Sequence, residues 1–160
     1  MPTIKNQKEL ERVLEKHIKS SLEKTQKVVY DTLDKSINEF YAEYDPLWYR
    51  RTYSFLKSLT HTKVTKKGNT FVCEVKIDED YLSHKYHGND SPANIPATGY
   101  DVAKWADRQS IGFNGGNHGY TVNTGRNDGF WNIAIEELGD VPGLIHMFKE
   151  NLIKSGLAIK

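Results

Sequence analysis

The apolar pattern of the first 44 residues constrains this chain more than any other feature. Apolar side chains recur mainly every fourth residue, and Thr25 bridges the one gap in the pattern. Asn6 and Glu9 precede it with the spacing of a helix capping box. The spacing predicts a helix over residues 6–44, either unbroken or as two helices end to end. Unbroken, it would extend roughly 55–60 Å. A small domain cannot bury such a rod, so we expect either a bent pair of helices or a projection towards a neighbouring molecule.

Proline ends this helix. Pro46 disfavours helical conformation at the residue before it. Aromatic residues, arginines and a threonine follow: Trp48, Tyr49, Arg50, Arg51 and Thr52. The threonine predicts the N-cap of a short helix over 53–59. Arginine among aromatic residues suits three roles, which the sequence leaves open: holding a loop through backbone carbonyls, anchoring a protein interface, or stacking on nucleic-acid bases.

A two-residue period replaces the helical one after residue 60. One face of the predicted strand is apolar: Phe71, Cys73, Val75 and Ile77. Residues 66–69 predict a turn that pairs this strand with 61–65, giving an antiparallel hairpin within 61–82. Cys73 lies in phase with the apolar residues, so we expect a small buried hydrophobic residue and not a nucleophile. It is the only cysteine, which excludes an internal disulfide.

Residues 83–128 are rich in glycine and asparagine and predict an extended loop or arm, with a short helix over 99–107. Loops of this length are usually functional or disordered. The glycine-rich stretch 112–119 lacks the Gly-Lys-Ser/Thr of a phosphate-binding loop. We interpret it as an adaptable binding loop, with a plain flexible loop as the alternative.

The same segment supplies the candidate metal ligands, which are His84, His87, Asp90 and His118. A metal site needs three or four such side chains to converge. The spacing of the two nearby histidines does not bring both rings to one side of a loop. We therefore expect solvated histidines, and a metal-dependent hydrolase is a remote alternative.

Residues 129–160 return to a helical period. They predict a helix over 130–138 with Asp128 as its N-cap, an interruption at Val141-Pro142, and a helix over 144–153 with Gly156 as its C-cap. Residues 157–159 could form a short strand. Together the segments predict a single α+β domain over 1–160, with a long N-terminal helix, a small antiparallel sheet, a glycine-rich loop and C-terminal helices.

The overall charge narrows the function. The chain has 22 lysines and arginines against 21 acidic residues, a net charge of +1, and this disfavours general coating of nucleic acid. No apolar run reaches the roughly 18 residues of a membrane span, and the N-terminus has no apolar signal segment. A DNA-binding regulator that uses Arg50-Arg51 and the lysine-rich first helix remains a second remote alternative.

Four features in order resemble the tail-completion or head-tail joining family of long-tailed bacteriophages. They are the first helix leading into Tyr44-x-Pro46-x-x-Tyr49-x-Arg51-Thr52, the alternating strand, the segment from Gly99 to Gly119, and Phe130-Trp131-x-x-Ala134 followed by a last helix. The resemblance implies a subunit that forms a ring, commonly a hexamer, in the neck of the virion. It also implies no enzymatic activity, no catalytic residues, no cofactor and no metal.

The resemblance further implies partners and a location. The partners are other copies of the chain, the head-tail connector, adaptor or stopper proteins, and the tail tube or its terminator. DNA would pass through the channel without specific binding, and the protein would be made in the host bacterial cytoplasm with no membrane contact. The expected interface residues are Trp48, Tyr49, Arg51, Thr52, Trp105, Phe113, His118 and Tyr120. A tail-tube terminator or a minor tail protein is the nearer alternative.

Overall fold

The computed structural model describes residues 6–43, 54–82, 103, 107 and 129–157. The helices are α1 (Gln7–Glu43), α2 (Ser54–Ser58), α3 (Phe130–Glu137) and α4 (Asp140–Lys154), and a 3-10 helix spans Glu79–Leu82. The strands are β1 (Leu59–His61), β2 (Thr65–Lys67), β3 (Thr70–Val72) and β4 (Val75–Ile77). The predicted α+β class is confirmed.

Helix α1 is one continuous helix of 37 residues, so of the two alternatives that the sequence left open the structure shows the unbroken helix. At 1.5 Å per residue it is about 55 Å long. Asn6 caps it as predicted, because its Oδ1 accepts a hydrogen bond from the Glu9 backbone N–H at 2.9 Å. The description of this helix runs to Glu43, and the predicted stop at Pro46 lies outside the described residues.

The buried face of α1 differs between its two halves. Leu33 and Ile37 are fully buried in the second half, as the apolar pattern predicts. In the first half the buried positions are polar: Ser21, Thr25 and Gln26. Leu10 and Val28 fit the apolar pattern of the helix, yet they are 41% and 40% exposed. The periodicity therefore identifies the helix but not what covers its first half.

The strand predicted over residues 70–78 is two short strands. β3 pairs antiparallel with β2 across a two-residue turn, where Gly68 adopts a φ of 61° that suits glycine. β4 pairs with β1 instead. Cys73 and Glu74 lie between the two strands, so Cys73 is not at the centre of a strand. It is half-buried rather than buried, which corrects the prediction.

The strand break has a physical cause in α1. The Gln26 Nε2 group donates hydrogen bonds to the carbonyl oxygens of Thr62 and Glu74, each at 2.9 Å. Thr62 also pairs with Glu74, through a backbone hydrogen bond of 3.0 Å and through its Oγ1. These bonds fix the chain between β3 and β4.

The chain forms two compact units. The first unit comprises Met1–Tyr30, His61–Val75 and Leu138–Lys160. Its interior combines apolar residues, which are Val64, Leu138 and Leu152, with buried polar side chains of α1. Besides the bonds of Gln26, Asn151 Nδ2 donates to Thr25 Oγ1 at 3.1 Å, and His17 Nδ1 lies 3.1 Å from Ser155 Oγ. Polar side chains of α1 therefore contribute directional contacts to the hairpin and to α4.

The second unit comprises Asp31–Thr60 and Lys76–Glu137 and has an apolar core. The rings of Phe55 and Phe130 meet edge to face, with centroids 5.5 Å apart. Among the described residues, the other buried apolar residues of this unit are Leu33, Ile37, Leu59, Leu82 and Ala134. Burial of a leucine, isoleucine or phenylalanine side chain contributes roughly 1.5–3 kcal/mol.

Helices α3 and α4 are both present, but three of their four boundaries differ from the prediction, and the interruption predicted at Val141-Pro142 is wrong because both residues belong to α4. α3 ends one residue earlier than predicted and α4 one residue later. α4 begins at Asp140, four residues before the predicted start, because Pro142 lies in its first turn, where a missing N–H needs no partner. Gly156 ends the helix as predicted. Its N–H donates to the Ile153 carbonyl and the Leu157 N–H to the Leu152 carbonyl, the bonds of a Schellman motif.

Candidate interaction surfaces

All eight interface residues predicted from the sequence lie outside the described residues, as do the four candidate metal ligands. Their roles stay predictions. Of the short helix predicted over 99–107, the structure describes Ala103 and Asp107, and both are helical. The candidate surfaces below are therefore built from other residues.

Helix α4 begins in an uncommon way. Gly139 and Asp140 both have left-handed backbone conformations, with φ of 72° and 54°. Positive φ is natural for glycine and uncommon for aspartate. Gly143 donates its N–H to the Gly139 carbonyl at 2.8 Å. A Cβ atom at Gly143 would overlap the Leu138 carbonyl oxygen. The glycines thus permit the tight first turn that sets where α4 presents its side chains.

That first part of α4 exposes an apolar pair, Val141 and Ile145. They are 67% and 49% exposed. Residues four apart lie on one side of a helix, so the two side chains are neighbours. Leu152, on the other hand, is buried in the first unit. The two neighbouring exposed side chains are therefore a candidate contact for another protein.

A charged face of α4 follows at His146, Glu150 and Lys154. Glu150 accepts a hydrogen bond from Lys154 Nζ at 3.1 Å, and His146 Nε2 lies 3.4 Å from its other oxygen. The hydrogen bond from Lys154 lowers the pKa of Glu150, and the charges of Lys154 and His146 lower it further. The carboxylate therefore stays charged to a lower pH than a free glutamate.

The hairpin of β2 and β3 is the exposed part of the first unit. Residues 65–70 are all exposed, and the tip carries Lys66 and Lys67. Lys66 forms an ion pair with Glu15 of α1. At the base, burial raises the pKa of the Cys73 thiol, and the neighbouring Glu74 carboxylate raises it further. Cys73 is thus poorly suited to act as a thiolate.

Two contacts of the second unit involve side chains that the sequence did not single out. Asp107 Oδ1 accepts a hydrogen bond from the Trp131 backbone N–H at 3.0 Å, so it caps the start of α3. A Cβ atom at Gly129 would overlap the Asp107 carboxylate. Lys35 pairs with Glu137 at 3.0 Å, and this hydrogen bond, with the Glu137 charge, raises the pKa of Lys35.

Sequence reasoning missed two of these features for different reasons. Ile145 fits the apolar period of the last helix, and the sequence predicts an interruption at Val141, whereas both side chains are exposed on α4. The Gly-Asp-Val-Pro-Gly sequence was the available signal, since it places proline in a first turn. Asp107 carried no signal, because the helix that it caps begins more than 20 residues later.

Within the described ranges, no group of three histidine, cysteine or acidic side chains is placed to hold a metal ion. Among the helices described, none combines the length and the apolar character needed to cross a membrane.

Comparison with known proteins gives one result. The family model described as YomN matches residues 6–154. No curated protein and no solved structure matches the chain.

Proposed function

Because this chain belongs to the YomN family, which is phage-derived, we propose that it is a structural protein of a phage particle. In this proposal it forms a ring at the head-tail junction and joins the completed tail to the head connector. It acts by binding other proteins and catalyses no reaction.

The exposed pair Val141 and Ile145 is the observation that carries the proposal. Two apolar side chains that lie side by side on an exposed helix face offer a contact that another molecule can cover. In a ring, a neighbouring copy or the next ring along the neck would cover it. The pair lies on a regular helix that a Schellman motif ends, so its geometry does not depend on a loop.

The first experiment disrupts the gene in the encoding phage and examines the lysate by electron microscopy. We expect full heads beside unattached tails, with normal particles restored when the intact gene is supplied separately. Tails of uncontrolled length would support the tail-terminator alternative instead. Intact, infectious particles would refute both roles.

A second experiment tests the apolar pair. We expect Val141→Ser combined with Ile145→Ser to fold normally, by circular dichroism, and to fail to restore infectivity to the disrupted phage. Val28→Ser is the matched control, because Val28 is 40% exposed on α1 of the same unit. A double variant that restores infectivity as well as this control does would refute the role of the pair.

A further inference from the structure

The near-neutral net charge of the chain conceals a strong separation between the two compact units. Among the described residues, the first unit has 11 lysines and arginines against 7 acidic residues, a net of +4. The second unit has 3 against 10, a net of −7. The hairpin tip and the first half of α1 account for most of the positive charge.

Several of these charged side chains form no ion pair within the described part of the chain. In the first unit, Lys16, Lys24, Lys63 and Lys67 are exposed, and they have no ion-pair partner in the described part of the chain. In the second unit the same holds for three exposed acidic side chains, which are Glu79, Asp80 and Glu136. Each unit therefore presents charge that is available to another molecule.

We propose that copies of this chain associate through the first unit of one copy and the second unit of the next. The inference rests on the proposed self-assembly and specifies which surfaces meet. Opposite potentials favour this contact, and like potentials oppose contact between two first units or two second units. Since the two surfaces differ, the contact is heterologous, and it forms the proposed ring when the rotation from one copy to the next closes.

Sedimentation velocity of the purified full chain tests this contact. The Debye length falls from about 10 Å at about 0.1 M salt to about 3 Å at about 1 M. We expect assemblies larger than the monomer at the lower salt and roughly tenfold weaker association at the higher salt. A wild-type chain that stays monomeric at the lower salt at every concentration, or associates equally at both, would overturn the inference.

Charge-reversal variants identify the surfaces. Lys63→Glu with Lys67→Glu reverses charge in the first unit, and Glu79→Lys with Glu136→Lys does so in the second. Each double variant is expected to associate at least about tenfold more weakly than wild type, because like charges then face each other. An equimolar mixture of the two is expected to recover association, which also shows that both variants fold. A mixture that stays dissociated would overturn the inference.

Glu74→Lys is the matched control for Glu79→Lys. Glu74 is also exposed but belongs to the first unit, so the change increases the existing charge difference. We expect association to be unchanged or tighter, and a loss equal to that of Glu79→Lys would overturn the inference.

Two outcomes separate this inference from the proposed function. Association that resists both salt and charge reversal, together with detached tails in the disrupted phage, would refute the charge pairing and leave the ring. A chain that binds a short DNA duplex at low salt but stays monomeric would assign the basic surface to nucleic acid and overturn the inference.

Discussion

Gln26 offers the sharpest test of how the first unit is held together. Its side chain is 8% exposed, and Nε2 donates to two backbone carbonyls, those of Thr62 and Glu74, at 2.9 Å each. Because both partners are hydrogen-bond acceptors, the amide of Gln26 must direct its NH2 group, and not its oxygen, towards them. The Glu74 carbonyl keeps a second donor in the Thr62 N–H, whereas the Thr62 carbonyl loses the donor described for it when Gln26 is removed.

The expected cost of Gln26→Ala follows from these contacts. A hydrogen bond contributes a net of about 1 kcal/mol, so two give a loss of about 2 kcal/mol in the free energy of unfolding. Urea unfolding followed by far-UV circular dichroism measures it. Gln7→Ala is the control, because Gln7 Nε2 donates to Glu11 on the exposed start of the same helix, where a pair contributes roughly 0.2–0.5 kcal/mol.

The stability of a third variant, Gln26→Glu, should depend on pH. A carboxylate facing two carbonyl oxygens is unfavourable, so the folded state raises the pKa of the new side chain above its unfolded value. The variant is therefore least destabilised below the unfolded pKa, where it is protonated in both states, and loses stability as pH rises. The role of Gln26 would be refuted if the free energies of unfolding of Gln26→Ala and Gln7→Ala differed by less than about 0.5 kcal/mol. It would also be refuted if the stability of Gln26→Glu did not change with pH.

Three further predictions concern single contacts. Ser21→Ala removes a buried hydroxyl oxygen that has no hydrogen-bond partner in the described part of the chain, and alanine has the higher helix propensity. The free energy of unfolding in urea should therefore stay unchanged or rise by up to ~1 kcal/mol, and a decrease would contradict this. Asp107→Ala should cost about 1 kcal/mol in the same assay and Asp107→Asn clearly less, because asparagine still accepts from the Trp131 N–H; equal losses would count against capping. Lys154→Ala should raise the pKa of Glu150 towards 4.5, because the hydrogen bond and the charge of Lys154 are lost. The change removes the stabilisation from this pair, which in the unmodified protein persists as pH falls to the lowered pKa of Glu150. An NMR titration of Glu150 measures the change in pKa.

Features set by neighbouring residues were predictable from the sequence. The start of α1, the turn of the hairpin and the Gly156 cap each depend on residues within a few positions of one another. The two helix caps are confirmed, and the turn is confirmed at Gly68 and Asn69, whereas Lys66 and Lys67 were expected in the turn and lie in β2. The break between β3 and β4 was not predictable, because it depends on Gln26, which is 48 residues from Glu74. An alternating pattern shows which side chains lie on the same face of a strand, here Phe71, Cys73, Val75 and Ile77. It cannot show that a hydrogen-bond donor from a distant helix interrupts the strand.

The candidate surfaces were less accessible to prediction than the fold. Helical periodicity shows which side chains share a face, but exposure depends on what packs against that face. Val28 and Ile145 fit apolar patterns and are nevertheless 40% and 49% exposed. The charge separation could not be predicted from the sequence, because each unit is built from two or three segments that are far apart along the chain. Residues of one unit that are neighbours in space are therefore far apart in the sequence.

The discontinuity of the two units has a consequence for biosynthesis. The second unit needs residues up to Glu137, and the first unit needs Leu138–Lys160. A ribosome that has made α1 and the hairpin has therefore completed neither unit. Contacts between distant segments form slowly, and unfinished units expose apolar surface. We expect this chain to become able to assemble only after α4 has emerged from the ribosome, so that nascent copies on one messenger RNA do not join before that point.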